Sequence, residues 1–427
     1  MTVFFWLALT TFLVGAESTP APLNVVLLSV DTLRADRLGC YGYPLNTTPN
    51  LDRFAEEALL FEDCVCDVPL TGPSFGAMLT SRHPRMIGMK RNGLRLSADI
   101  PTIVEQFQNA GYYTFCVQSN WTLKSRLSGL NRGFEVYDDD FHKKRWGLIK
   151  AERTADEVTR IALELLEQRD TSRPFFGWIH YSDPHAPYKM RRDYNPAGIR
   201  AWRFKKKYRV PVRYDSEVAF TDAMIAPVLE ALPENTAVLF VADHGEALFE
   251  HGYLGHGRRI HQPGIHIALM IRAPDLSPGR TSLPAMGIDV GPTLLGLAGL
   301  PGIDGMQGID LLREAPPMSR ARVFETYGGA VPRVPGAKML MADRRPLRQG
   351  VIREGWKLVL YGHKADLFYL PDDPGELKNL VDSHPEQASA LQAIVKQWDA
   401  ATEHGVPEAE TLDADDIEAL RSLGYLE

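Results

Sequence analysis

The chain has 427 residues, of which 44% are apolar, 24% charged and 9% aromatic. That balance excludes disorder, collagen and coiled coil as readings of the whole chain. A formal net charge of -7 speaks against nucleic-acid binding, which asks for a basic domain.

Before any fold element comes an apolar N-terminus. Val3 to Gly15 carries no charge, yet it is shorter than the ~20 residues that a membrane span needs. Val14-Gly15-Ala16 supplies the small residues of a cleavage site, although Met1-Thr2 lacks the usual cation. Residues 1–16 are therefore expected to be a signal peptide. Its removal leaves a periplasmic or secreted protein with no membrane span.

Residues 23–30 are a continuous β-branched and leucine-rich run, the pattern of a strand buried on both faces in a parallel sheet. Similar runs follow at 113–117, 176–180, 237–242 and 266–272. Helical periodicity fills the gaps at 100–110, 149–168 and 216–232, the last stopping before Pro233. Strand and helix in alternation predict an α/β fold, a doubly wound α/β/α sandwich. Beyond about Pro316 the pattern changes. Short runs at 322–326, 350–352, 357–361 and 366–369 predict a small antiparallel sheet. The division is thus a main domain over 23–316 and a C-terminal subdomain over 317–427.

Residues 189–213 hold ten of the 47 basic residues and one of the 54 acidic ones, with Trp202, Phe204 and Tyr208 interleaved. The plain reading of this basic insert is a solvated loop. The sharper one is a contact for an anionic substrate or surface. The four cysteines, Cys40, Cys64, Cys66 and Cys116, are too few for a disulfide scaffold and read as inert or singly paired thiols.

Sites in parallel sheets form at the carboxyl ends of strands. One strand ends at Asp31, another at Asp243-His244-Gly245. Two carboxylates and an imidazole suit zinc or manganese, and Gly245 permits close backbone approach. Asp31 alone reads equally as a helix cap. The stretch Leu70-Thr71-Gly72-Pro73-Ser74 opens a helix. There Thr71 is either a cap or a hydroxyl made acidic by the helix N-terminus and a cation.

Taken together these motifs resemble the sulfatases, within the alkaline phosphatase-like superfamily. The resemblance rests on the run from Asp31 to Gly42, Thr48-Pro-Asn-Leu-Asp52, Thr71-x-Pro-Ser74 and His180-Tyr-Ser-Asp-Pro-His185. It extends through Ala242-Asp-His-Gly-Glu246, Glu250-His-Gly252, Gly255-His-Gly257, Gly355-Trp-Lys-Leu358 and the stretch from Leu367 to Leu380. It implies the sandwich with a small second sheet and a hydrolase of sulfate or phosphate esters. Two departures stand out. The formylglycine sulfatases carry Cys or Ser and then x-Pro-x-Arg, where this chain has Thr71 and Phe75. No formylglycine can form at a threonine, so Thr71 itself would attack the ester, which slightly favours phosphoester chemistry.

The second departure concerns the ligands: where the family has Asp-Asp and Asp-Asn, this chain has Asp31-Thr32 and Asp243-His244. Asp31, Thr71, Asp243 and His244 are then expected to hold one divalent ion, Mn²⁺ or Zn²⁺ rather than Ca²⁺. The resemblance makes His185 and His256 the proton-transfer residues, and Arg34 and Asn120 the contacts for the anionic ester. Asn120 stands where the family has Lys-x-His. The competing reading is a catalytically inactive sulfatase-fold protein that binds anionic glycans or lipid headgroups.

Overall fold

A computed structural model describes residues 22–140, 152–196, 198, 205–328, 345–407 and 416–418. The expected signal peptide, Trp202 and Phe204, and much of the final stretch lie outside these residues. Among those described, no helix is long and apolar enough to cross a membrane.

Eight strands form the main sheet. In chain order they are β1 (Asn24–Val30), β2 (Leu59–Phe61), β3 (Tyr113–Val117), β4 (Val136–Asp138), β5 (Phe175–Tyr181), β6 (Thr236–Ala242), β7 (Leu269–Arg272) and β8 (Gly279–Thr281). Their spatial order is β8-β2-β7-β6-β1-β5-β3-β4. Every residue of β1, β5 and β6 is buried. That is the physical meaning of the uninterrupted apolar runs: with both faces covered there is no solvent side to alternate with. Fully burying one such Val, Leu or Ile is worth roughly 1.5–3 kcal/mol. One expectation needs correcting. The run read as 266–272 pairs only from Leu269, and β7 lies antiparallel to both β6 and β2.

Helices cover the sheet: α1 (Pro49–Glu56), α2 (Thr71–Thr80), α3 (Ile103–Asn109), α4 (Ala155–Gln168), α5 (Lys206–Ala231) and α6 (Val290–Leu297). Helix α3 starts at Ile103 because Thr102 and Glu105 close a capping box, in which each side chain accepts from the other's backbone N–H. Thr154 and Glu157 do the same for α4, which therefore begins later than the periodicity predicts. The loop part of the solvated-loop reading of residues 189–213 is also corrected, but only from Lys206. From Lys206 onward the insert is the first part of α5, and that helix ends where Leu232 is extended before Pro233.

The C-terminal sheet is antiparallel, with β9 (Arg322–Thr326), β10 (Arg348–Arg353), β11 (Trp356–Tyr361) and β12 (Lys364–Tyr369) in sequential order. Helix α7 (Pro385–Ala401) buries Leu391 and Val395 against Val351, Leu358 and Leu367 of that sheet. All four cysteines are free thiols, three of them buried.

Candidate active site

The strand order decides the site. β6, β1, β5 and β3 are adjacent and parallel, so their carboxyl ends share one edge of the sheet. Asp31 follows β1, Asp243-His244 follows β6, His185 lies just beyond β5 and Asn120 just beyond β3. Residues spread over more than 200 positions are thereby brought to one place. Asp31, Asp243 and His244 form a cluster whose ligand atoms all lie within 4.8 Å of one another.

Each of these three side chains is oriented by its surroundings. Asp243 Oδ1 accepts from the backbone N–H of Thr32 at 3.1 Å and of His244 at 2.7 Å. Asp31 Oδ2 accepts from Asn120 Nδ2 at 2.5 Å, while Asn120 Oδ1 is fixed by Thr122. His244 Nδ1 lies 3.0 Å from the carbonyl oxygen of Gly245. That acceptor holds the proton on Nδ1 and leaves the lone pair on Nε2. Nε2 is 3.7 Å from Asp31 Oδ1 and 3.5 Å from Asp243 Oδ2. Those two carboxylate oxygens are fully buried and have no hydrogen-bond donor among the described residues. Two orphaned acceptors facing a lone pair are costly unless a cation sits among them, so the residues fit a divalent ion. Burial pushes the carboxyls of Asp31 and Asp243 up to about 7, with Asp243 adding to the rise at Asp31.

Thr71 completes the group. It is the first residue of α2, with Leu70 in the cap position, so the reading of Thr71 as an N-cap is corrected. Its Oγ1 lies 3.5 Å from His244 Nε2. Ser74, one turn on, donates to the carbonyl oxygen of Asp243 at 2.7 Å and ties the helix to the β6 exit. Gly72 donates its N–H to Asn92 Oδ1 at 2.8 Å. Phe75, in the slot where the family's arginine would sit, is fully buried. Its ring packs 4.7 Å from Trp178 and 4.8 Å from His180.

Two further histidines line up beside the cluster. The His256 ring is centred 4.6 Å from that of His244, and the His185 ring 5.1 Å from that of His256. Each has a carboxylate at Nδ1: Glu246 Oε1 at 3.2 Å from His256, and Glu152 Oε1 at 2.8 Å from His185. Burial disfavours a charged ring at His185, but Glu152 reverses this and its pKa is pushed up to about 10. Burial wins at His256 and lowers it. Arg34 is not drawn in. Its guanidinium is matched by Asp36 and Glu250, both at 2.7 Å. Asn120 is placed to orient the Asp31 carboxylate. Glu152 was missed from the sequence because only the return of the chain to the β3 exit puts it there. Next to the loop carrying Glu250, a cavity of about 690 Å³ opens between the two sheets, lined by Arg34, His251, Arg322, Leu370 and Pro374 among others.

A buried carboxylate–imidazole cluster at the carboxyl edge of a mainly parallel sheet, with a hydroxyl at a helix N-terminus beside it, defines an alkaline phosphatase-like α/β protein. The chain belongs to the sulfatase family, whose family model matches residues 23–300. That family membership makes it an ester hydrolase of the sulfatase type. It is 31% identical over 178 residues to an N-acetylglucosamine-6-O-sulfatase of Bacteroides thetaiotaomicron, an alignment covering 40% of this chain and 32% of that protein. Human iduronate 2-sulfatase is 26% identical, with 85% of this chain and 78% of the relative covered. Among solved structures, the phosphonate monoester hydrolase of Agrobacterium radiobacter superposes with a TM-score of 0.71 at 17% identity, covering 91% of this chain and 100% of that one.

Proposed function

We propose that the protein hydrolyses sulfate or phosphate esters with Thr71 as nucleophile, and that Asp31, Asp243, His244 and the Thr71 oxygen hold one divalent ion, Mn²⁺ or Zn²⁺ in preference to Ca²⁺. The convergence of Asp31 Oδ1, Asp243 Oδ2 and His244 Nε2, with Thr71 Oγ1 beside them, is the observation that supports this reading. When bound there, the ion polarises the ester and lowers the pKa of a neighbouring hydroxyl.

The chain's own groups carry the remaining steps. The Thr71 hydroxyl gives its proton to solvent and its oxygen bonds to the sulfur or phosphorus. The bond to the leaving oxygen breaks, and that oxygen takes a proton from the His185 imidazolium. A water then attacks the Thr71 ester and passes a proton to the now neutral His185, and the bond to Thr71 Oγ1 breaks as that oxygen takes a proton back from solvent. His256, held by Glu246, borders the same space and is the second candidate for proton transfer.

The absence of Cys or Ser before x-Pro-x-Arg argues for a route without formylglycine. Direct attack by a threonine is more familiar chemistry at phosphorus, so phosphoesters are slightly favoured. Relatives named for sulfated sugars, including one solved with D-glucosamine-2-N,6-O-disulfate, support an anionic glycan as the substrate. The cavity of about 690 Å³ has the volume for a sugar-sized group, and of the expected site residues only Arg34 lines it. The exposed Lys205, Lys206, Lys207 and Tyr208 at the start of α5 would contact a polyanion outside it. With the apolar N-terminus, this fits a periplasmic or secreted enzyme.

Purified protein supplied with Mn²⁺ is expected to cleave a nitrophenyl phosphate or sulfate. Thr71→Ala should abolish turnover while leaving the thermal midpoint unchanged. If wild type and variant behave alike on every ester, the inactive binding protein is the better reading.

A further inference from the structure

The proton-transfer residue His185 is built into a dyad. Residues 152–153 return to the sheet edge and form an antiparallel bridge, Asn120 with Glu152. The Arg153 N–H donates to the Ser119 carbonyl oxygen at 2.9 Å. The Arg153 guanidinium, itself buried, holds Asp138 at 2.5 Å and the Asp140 carbonyl oxygen at 3.2 Å. These contacts fix the backbone at Glu152 and Arg153. Glu152 is thus set at the exit of β3, and its Oε1 lies 2.8 Å from His185 Nδ1. The Ala186 carbonyl oxygen lies 2.7 Å from the same nitrogen. His185 is anchored from behind, where its N–H donates to the Ser182 carbonyl oxygen at 3.0 Å. The Ala186 carbonyl takes the hydrogen bond and the Glu152 carboxylate is an ion-pair neighbour outside hydrogen-bond alignment; a ring nitrogen so placed carries the proton. The opposite nitrogen, Nε2, is then the one that exchanges protons.

We propose that Glu152 is a positioning residue for His185: it holds the ring so that Nε2, rather than Nδ1, delivers the proton to the leaving oxygen and takes one back from water. The inference deepens the hydrolase reading and rests on it. It adds a carboxylate carried by residues 152–153, a segment outside every motif by which the family was recognised.

Leaving groups separate positioning from mere structure. A nitrophenolate departs without protonation, whereas an alkoxide needs a proton. Full-length protein with Mn²⁺ would be assayed on a nitrophenyl ester and an alkyl ester of the same acid. In a single turnover, which reads cleavage of the ester bond alone, Glu152→Ala is expected to lower the rate on the alkyl ester about 10–100-fold and on the nitrophenyl ester less than about 3-fold, with substrate affinity unchanged. His185→Ala should show the same selectivity, and the double variant should lose little more than either single one. Glu152→Gln keeps the shape and an accepting oxygen, so it guards against misfolding and should fall between wild type and Glu152→Ala. Equal losses on both esters, or no loss on either, would overturn the proposal. If folded wild type turns over neither ester, it is the hydrolase reading that fails. The dyad is then judged by the His185 ring N–H resonance, assigned through its loss in His185→Gln. That signal should shift in Glu152→Ala, and an unchanged signal rejects the dyad.

Discussion

Asp31 and Asp243 are fully buried carboxylates, each with one oxygen that no donor among the described residues reaches. In the absence of a cation they repel each other, so ligand capacity is maintained against stability. Asp31→Asn should remove that repulsion. Measured in a chelator, its thermal midpoint is expected to rise by about 1–3 °C over wild type. Added Mn²⁺ should raise the midpoint of wild type but not of the variant. A wild-type midpoint insensitive to Mn²⁺ and Zn²⁺ would remove the case for a metal. Phe75 makes the complementary point. Its ring belongs to a cluster with Trp178 and His180, so the slot is core and not an opening to substrate. Phe75→Ala is expected to cost about 3–5 kcal/mol in denaturant unfolding while the response to Mn²⁺ survives.

At the scale of elements, the loop after β5, the 189–213 insert and α5 are joined by a buried charge group. Arg191 pairs with Asp183 and lies 3.8 Å from Glu217 on α5. Burial pushes the Asp183 carboxyl from 3.8 to about 7, with Arg191 opposing the rise, and burial also pushes Glu217 up. An acid raised in the folded state costs stability as pH climbs from its unfolded value to its folded one. Arg191 offsets that cost only once the carboxylates are ionised. Arg191→Gln should therefore be nearly silent near about pH 5 and destabilise by about 1–3 kcal/mol near about pH 8.5, the Arg being partly exposed. Chemical denaturation at the two pH values checks this, and equal losses would contradict it.

The whole molecule is held together where the C-terminal sheet meets the α/β unit. Lys357 of β11 and Glu376 are both fully buried and pair at 2.6 Å, and Glu376 Oε2 also accepts the N–H of Gln262 at 2.6 Å. Arg322 of β9 holds Asp63 at 2.6 Å, and Arg85 pairs with Glu325. Glu376→Ala leaves a buried ammonium without its carboxylate and should cost about 3–5 kcal/mol in denaturant unfolding. The double change Lys357→Met with Glu376→Leu should recover most of that loss, because the pair as a whole contributes less than its halves cost when separated. No recovery would mean that the pair, not the burial, holds the sheets together.

Much of this was legible in the chain alone. Strand burial on both faces leaves an unbroken apolar run, so β1, β3, β5 and β6 could be read directly, and polar residues at their ends marked Asp31 and Asp243-His244. Capping boxes at Thr102 and Thr154 shifted helix starts, because a local side-chain bond outweighs apolar periodicity there. The helical start of α5 was hidden by its cations, which periodicity reads as loop. Three things needed the tertiary structure: the antiparallel sense of β7, the commitment of Arg34 to Asp36 and Glu250, and the place of Glu152 behind His185. Periodicity and motif are properties of neighbours along the chain and survive in the sequence. Which charge meets which across some tens or hundreds of residues is decided by strand order and by the loops that return to the sheet edge, and no local pattern encodes it.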